Sequence, residues 1–152
     1  MEQGKKVIAG GTFDILHKGH KALLRKAFEL GKVEIGLTSD EMAKEGRGRK
    51  VVEFGSRGRE LKDFIEKELG YKAEIFEIKD KFGPTLENDF DYIVVSPETY
   101  KTALEINEER EKRNKKPIEI VKIDFVLAED GKPISSARIY NGEIDKEGRL
   151  LN

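Results

Sequence analysis

Cysteine is absent from the 152 residues, which excludes disulfides, thiolate catalysis and cysteine-based zinc sites. A charge excess of either sign is absent too: 29 Lys and Arg stand against 30 Asp and Glu, a formal net charge of −1. Non-specific nucleic-acid binders carry a basic surplus, so nucleic acid is not an expected partner. No apolar run approaches the roughly 20 residues that a membrane span needs, and the N-terminus has no apolar signal core. The expectation is a soluble, cytoplasmic protein without a membrane partner. Histidine occurs only twice, so any histidine chemistry rests on His17 and His20.

What is present is a densely charged chain, 39% charged and 37% hydrophobic residues. That is lean, but 152 residues can bury a real core, and one domain over 1–152 is expected. Apolar patterning predicts strands over Lys5–Ala9, Val33–Thr38, Ala73–Ile78, Tyr92–Val95 and Ile118–Phe125. It predicts helices over Lys18–Leu30 and Ser56–Leu69, each stopped by a glycine (Gly31, Gly70). A third helix is expected to start at Ser96-Pro97 and run to about Arg113, and a short one near Ser135. Met42–Arg49 and Lys79–Asn88 read as loops, and the polar tail from Asn141 as peripheral. Alternating strands and helices indicate an α/β fold, a parallel sheet with helices on both faces. Ligands of such sheets bind beyond the carboxyl ends of the strands, at the switch point, so the loops after Ala9, Thr38, Ile78, Val95 and Phe125 are the ones to watch.

The strongest local signal is GGTFDILHKGH, Gly10 to His20. Gly10 and Gly11 permit a tight turn and close approach of the backbone to a ligand. The segment enters a helix N-terminus, where amide N–H groups and the helix dipole favour phosphate. His17 and His20 are three residues apart and face the same way, with Gly19 adding no bulk between them. Two surface histidines at a helix end are the bland alternative. Zinc is disfavoured, because it wants three or four protein ligands and only Asp14 is near in sequence. The Gly-Lys-Ser/Thr ending of a P-loop is missing.

A second signal is ISSAR, Ile134 to Arg138: two hydroxyls at a helix start and an arginine a turn later, suited to phosphate oxygens, or an ordinary serine cap. Lys44, Arg47, Arg49 and Lys50 make a basic loop after the second strand that phosphate contacts or plain solvation would explain. Asn107 and Arg110 form an NxxR step that equally fits an exposed helix face.

The first segment resembles the GTFDxxHxGH signature of the HxGH-type nucleotidyltransferase superfamily, and ISSAR resembles its ISSTxxR segment. Ala137 stands where that family often has Thr and Tyr140 where it often has Arg, which leaves open which position supplies the cation. With DKFGPTL (80–86), VSPET (95–99), NxxR and GEID (142–145), the chain resembles the archaeal type of phosphopantetheine adenylyltransferase over roughly 6–145. The resemblance implies a Rossmann-like, doubly wound α/β sandwich with a five-stranded parallel sheet. It implies transfer of an adenylyl group from ATP to 4′-phosphopantetheine, with Mg²⁺ accompanying ATP. It assigns His17, His20 and Lys44 to catalysis, and Gly10, Gly11, Thr12, Phe13, Asp14, Gly19, Arg57, Asn107, Arg110, Ser135, Ser136 and Arg138 to substrate binding. No protein side chain is expected to ligate the metal. A cytidylyltransferase or FAD synthetase of the same superfamily, or a nucleotide-sensing module without turnover, are the competing readings.

Overall fold

A computed structural model describes residues 4–45 and 47–151. The strands β1 (Lys6–Gly11), β2 (Lys32–Thr38), β3 (Glu74–Ile78), β4 (Tyr92–Val95) and β5 (Glu119–Lys122) form one all-parallel sheet in the order β3-β2-β1-β4-β5. The chain winds outward from β1 to β3, then crosses back to β4 and β5. The switch point therefore lies between β1 and β4, as the α/β reading requires.

Period-two alternation places consecutive strand residues on opposite faces. Val7 and Val94 enter one core with Leu24, Ala27, Phe28 and Leu61, contributed by α1 (Lys18–Leu30) and α3 (Phe54–Phe64). Their neighbours Ile8, Ile93 and Val95 enter the other with Ala103 and Ile106 of α4 (Tyr100–Lys112). Strands buried on both faces read as unbroken apolar runs, which is why Tyr92–Val95 was legible. Burying a Leu or Ile contributes roughly 1.5–3 kcal/mol, so these two layers hold the sheet ends that carry the cleft.

Several expected elements differ. The segment after β2 is not all loop: Asp40–Lys44 forms the short helix α2, with Ser39 as N-cap accepting from the Met42 N–H. The second long helix starts at Phe54, whose N–H donates to Asp40 Oδ1, and its last turn widens into a π-turn over Ile65–Leu69 before Gly70 at φ +73°. Ser96 does not cap α4. Its N–H donates to Thr99 Oγ1, closing a separate turn, and the helix begins only at Tyr100. β5 stops at Lys122; the Ile123 N–H still donates to the Val95 carbonyl, and the chain beyond it leaves the sheet. Gly10 and Gly11 do not turn; they extend β1, paired with Gly36 and Leu37. The tail is not peripheral either: Ile144 is fully buried with Ala128 and Ile134, beneath α5 (Ser136–Tyr140).

Candidate active site

The carboxyl ends of β1 and β4 diverge around a cleft of about 900 Å³. Its walls are 10–14, the start of α1, Thr38, the arginine loop 47–49, the 96–99 turn, the 123–126 segment and the start of α5. It occupies the switch point.

The β1–α1 connection is built around Phe13, a buried residue with φ +48°. A bulky residue in the left-handed region is strained unless its surroundings hold it. Gly11 allows it, since a Cβ there would meet the Phe13 ring at 3.0 Å. The Phe13 ring in turn lies against His20, with centroids 5.1 Å apart.

His17 is the N-cap of α1, and the two histidines cap each other. His17 Nδ1 accepts the Gly19 N–H at 3.0 Å, and His20 Nδ1 accepts the His17 N–H at 3.2 Å. With both Nδ1 atoms used as acceptors, each neutral ring carries its proton on Nε2. Burial lowers the His17 pKa to about 4, the nearby Asp14 carboxylate only partly opposing it. Burial, with a smaller contribution from His17, lowers that of His20 to about 3. Both rings are thus neutral Nε2–H donors at pH 7. Gly19 is required because a Cβ there would lie 2.8 Å from His17 Cε1. The helix end is less open than its sequence implies: the Lys18 N–H donates to the Lys146 carbonyl, and the Gly19 N–H goes to His17. The tail accounts for the first of these, which no local pattern announces.

Cations reach the cleft from the arginine loop. Arg47 donates to Thr12 Oγ1 at 3.2 Å and to the Ala43 carbonyl. Arg49 pairs with the carboxylate of Asp14 and stacks on Tyr140, 5.0 Å from its ring centroid. Burial opposes ionisation of Asp14, but the Arg49 guanidinium outweighs it and holds the carboxyl below its usual range. Lys44 ends α2 as an exposed residue, and the part of this loop that lines the cleft is 47–49. Alternation of Arg and Gly in 46–49 was the available signal for these arginines, and it reads equally as a solvated loop.

The two motifs meet in space. Ser136 Oγ donates to the Ile15 carbonyl at 3.1 Å, and Ser135 caps α5 by accepting the Arg138 N–H. Ser135 and Ser136 line the cleft. Arg138 points away from it: its guanidinium donates to Asp130, Glu143 and the Pro133 carbonyl. Gly10, Gly11, Thr12, Phe13, Asp14 and Gly19 all border the cleft.

Three further expected binding residues are placed elsewhere. Arg57 is wholly buried behind the cleft, donating to the Val52 and Thr12 carbonyls, Thr38 Oγ1 and Asp40. Arg110 is buried against the Thr85, Asn88 and Lys116 carbonyls and Asp89. Asn107 clamps both backbone groups of Ile118. The NxxR step thus ties α4 to the flanking loops instead of reaching the cleft. Among the described residues, no three His, Asp or Glu side chains gather as a metal cage, and none of their helices is long and apolar enough to cross a membrane.

A family model of cytidylyltransferase-like proteins matches residues 8–142. A phosphopantetheine adenylyltransferase of Methanosarcina mazei is 53% identical over 151 residues, 95% of this chain and 96% of that protein. One of Archaeoglobus fulgidus is 49% identical, over 96% of this chain and 99% of its own length. Among solved structures, a protein of unknown function from Archaeoglobus fulgidus superposes with a TM-score of 0.74 at 46% identity, covering 80% of this chain and 99% of that one.

Proposed function

The chain belongs to the cytidylyltransferase-like family, and on that premise we propose that it transfers an adenylyl group from ATP to 4′-phosphopantetheine, releasing pyrophosphate, as a cytoplasmic enzyme of coenzyme A biosynthesis. The observation that carries this reading is the HxGH pair: two neutral Nε2–H donors side by side, ring centroids 3.9 Å apart, at the mouth of the sheet. Relatives about half identical over nearly the whole chain, named for phosphopantetheine adenylyl transfer, supply the substrates.

The acceptor is a phosphate monoester, already ionised at neutral pH with a second pKa of about 6. No general base is needed. One of its oxygens bonds to the α-phosphorus as the bond to the β-phosphate oxygen breaks, and pyrophosphate leaves with the electron pair. The protein's task is to hold two polyanions in line and stabilise the spreading charge. His17 and His20 donate from Nε2 to the reacting phosphates, neutral donors that do not themselves transfer a proton. Thr12 holds the α-phosphate or the acceptor phosphate. Arg47 and Arg49 supply the positive charge for which Lys44 and Arg138 were expected, since those two arginines line the cleft. Ser135, whose oxygen accepts at the α5 cap and whose O–H is left for a ligand, holds the far end of the triphosphate, and Ser136 lines the cleft beside it with its own O–H on the Ile15 carbonyl. Mg²⁺ would accompany ATP as part of the substrate and would supply charge neutralisation at the phosphates; the buried carboxylate of the cleft, Asp14, is paired with Arg49.

The test is pyrophosphate release from ATP with 4′-phosphopantetheine, set beside CTP and beside glycerol phosphate and FMN as acceptors. Release with ATP and phosphopantetheine alone is the expected result. Preference for CTP or for another acceptor would move the chain to a cytidylyltransferase or FAD synthetase. Nucleotide binding without pyrophosphate would leave a sensing module.

A further inference from the structure

Behind the cleft wall, three side chains form a chain of hydrogen bonds directed from Arg57 through Thr38 to Thr12. Arg57 is wholly buried, and a guanidinium has donors and no acceptor. Its Nη1 donates to Thr38 Oγ1 at 3.3 Å. Thr38 is the last residue of β2 and is buried as well. With its oxygen accepting from Arg57, its own hydroxyl hydrogen goes to Thr12 Oγ1, 3.0 Å away. Thr12 Oγ1 also accepts from Arg47. Two donors thus occupy the oxygen of Thr12, and its hydrogen is left to point into the cleft that Thr12 lines.

We propose that Thr38 is a positioning residue that, driven by Arg57, turns the Thr12 hydroxyl into an obligate hydrogen-bond donor to a substrate phosphate. The inference rests on the reading that Thr12 touches phosphate. Without the relay, the Thr12 hydroxyl is free to rotate, and its oxygen lone pairs can face the anion. With it, the hydroxyl is held as a donor before substrate arrives, so no reorientation is needed in the transition state. Hydroxyl chains polarised from a charged end strengthen along their length, and the buried guanidinium supplies that end. Arg57 also donates to the Thr12 carbonyl at 3.1 Å, which holds the main chain of the same residue.

Thr38→Val keeps the branched shape of the strand end and removes the hydroxyl. It is expected to lower kcat about tenfold, the scale of one lost hydrogen bond, with an unchanged KM for ATP and a melting temperature lowered by a few degrees, because one buried N–H of Arg57 loses its acceptor. Thr38→Ser, which keeps the oxygen, should restore kcat. In a Thr12→Val background, Thr38→Val should cost nothing more. Should valine crowd the site and lower the melting temperature further, Thr38→Ala is read in the same way. Titration calorimetry with MgATP separates the layers: the wild type binding ATP without pyrophosphate release means that the proposed reaction is wrong, whatever Thr38 does. Wild-type kcat in Thr38→Val, failure of Thr38→Ser to rescue, or an equal loss in the Thr12→Val background overturns the relay. A silent Thr12→Val overturns both the relay and the phosphate contact it serves.

Discussion

His17 and His20 hold each other: the main-chain N–H of His17 is bound by Nδ1 of His20, while Nδ1 of His17 binds the N–H of Gly19. This reciprocal cap consumes both Nδ1 atoms. What remains for a ligand is a pair of Nε2–H groups on adjacent, tilted rings.

His20→Ala removes one of these donors and half of the cap. We expect kcat to fall about a hundredfold, the scale of losing one preorganised donor to developing charge, with KM for ATP changed much less. Steady-state kinetics decides; an unaltered kcat takes His20 out of the mechanism.

The same rings set a pH signature. Each is lowered from about 6.5 in the unfolded chain, to about 4 for His17 and about 3 for His20. Below pH 6.5 the unfolded chain takes up protons that the folded rings refuse, so stability must fall as pH drops. That loss is spread over the window from about 6.5 down to the folded pKa values and is complete below them. Melting temperature against pH should show this decline, and His20→Gln should flatten it. Ring proton shifts should not titrate between pH 5 and 8 in the folded protein; a midpoint near 6.5 contradicts the burial argument.

Arg49→Ala should raise KM for ATP about tenfold or more, as expected for a charge-assisted hydrogen bond. It also strands the Asp14 carboxylate beside the phosphates, so Asp14→Asn in the same chain should recover part of the loss. Lys44→Ala should stay within about twofold of wild type on the same scale. The reverse ranking, read from ATP saturation curves, would restore Lys44 as the phosphate cation.

Arg110→Ala separates architecture from binding. Its guanidinium serves three backbone carbonyls and Asp89 from a buried position. Removing it should cost about 3 kcal/mol, since three carbonyls lose their donor at about 1 kcal/mol each while the exposed Asp89 stays solvated, and lower the melting temperature by roughly 6–12 °C. The protein that remains folded should turn over normally. A raised KM with an unchanged melting temperature would return Arg110 to the substrate.

Much of the fold was legible in local pattern. Lys18–Leu30 has an amphipathic stripe and a terminal glycine, and its bounds match those expected. Tyr92–Val95 is an uninterrupted apolar run, and it too matches. The misreadings share a cause. Asp40–Lys44 is one turn of helix held by a serine cap and by Asp40, which reaches forward to Phe54 and Arg57. The tail is polar to the eye, yet it hides Ile144 in a small core of its own. In each case a partner distant in sequence outweighs a weak local preference.

The site divides in the same way. The residues around His17 and His20 were readable because the whole unit, glycine-rich strand end, histidine cap and helix start, is contiguous, and contiguous geometry is set by the backbone's own rules. Whether an arginine serves a ligand or a carbonyl was not readable, because guanidinium chemistry is identical in both uses. Arg47 and Arg49 line the cleft, while Arg57, Arg110 and Arg138 are spent on backbone and carboxylate partners. The sequence alone determined the sheet, its switch point and the paired imidazoles. Only the tertiary structure could assign the arginines, since a buried cation goes wherever unpaired oxygens would otherwise be left without a donor, and those oxygens are brought together by folding.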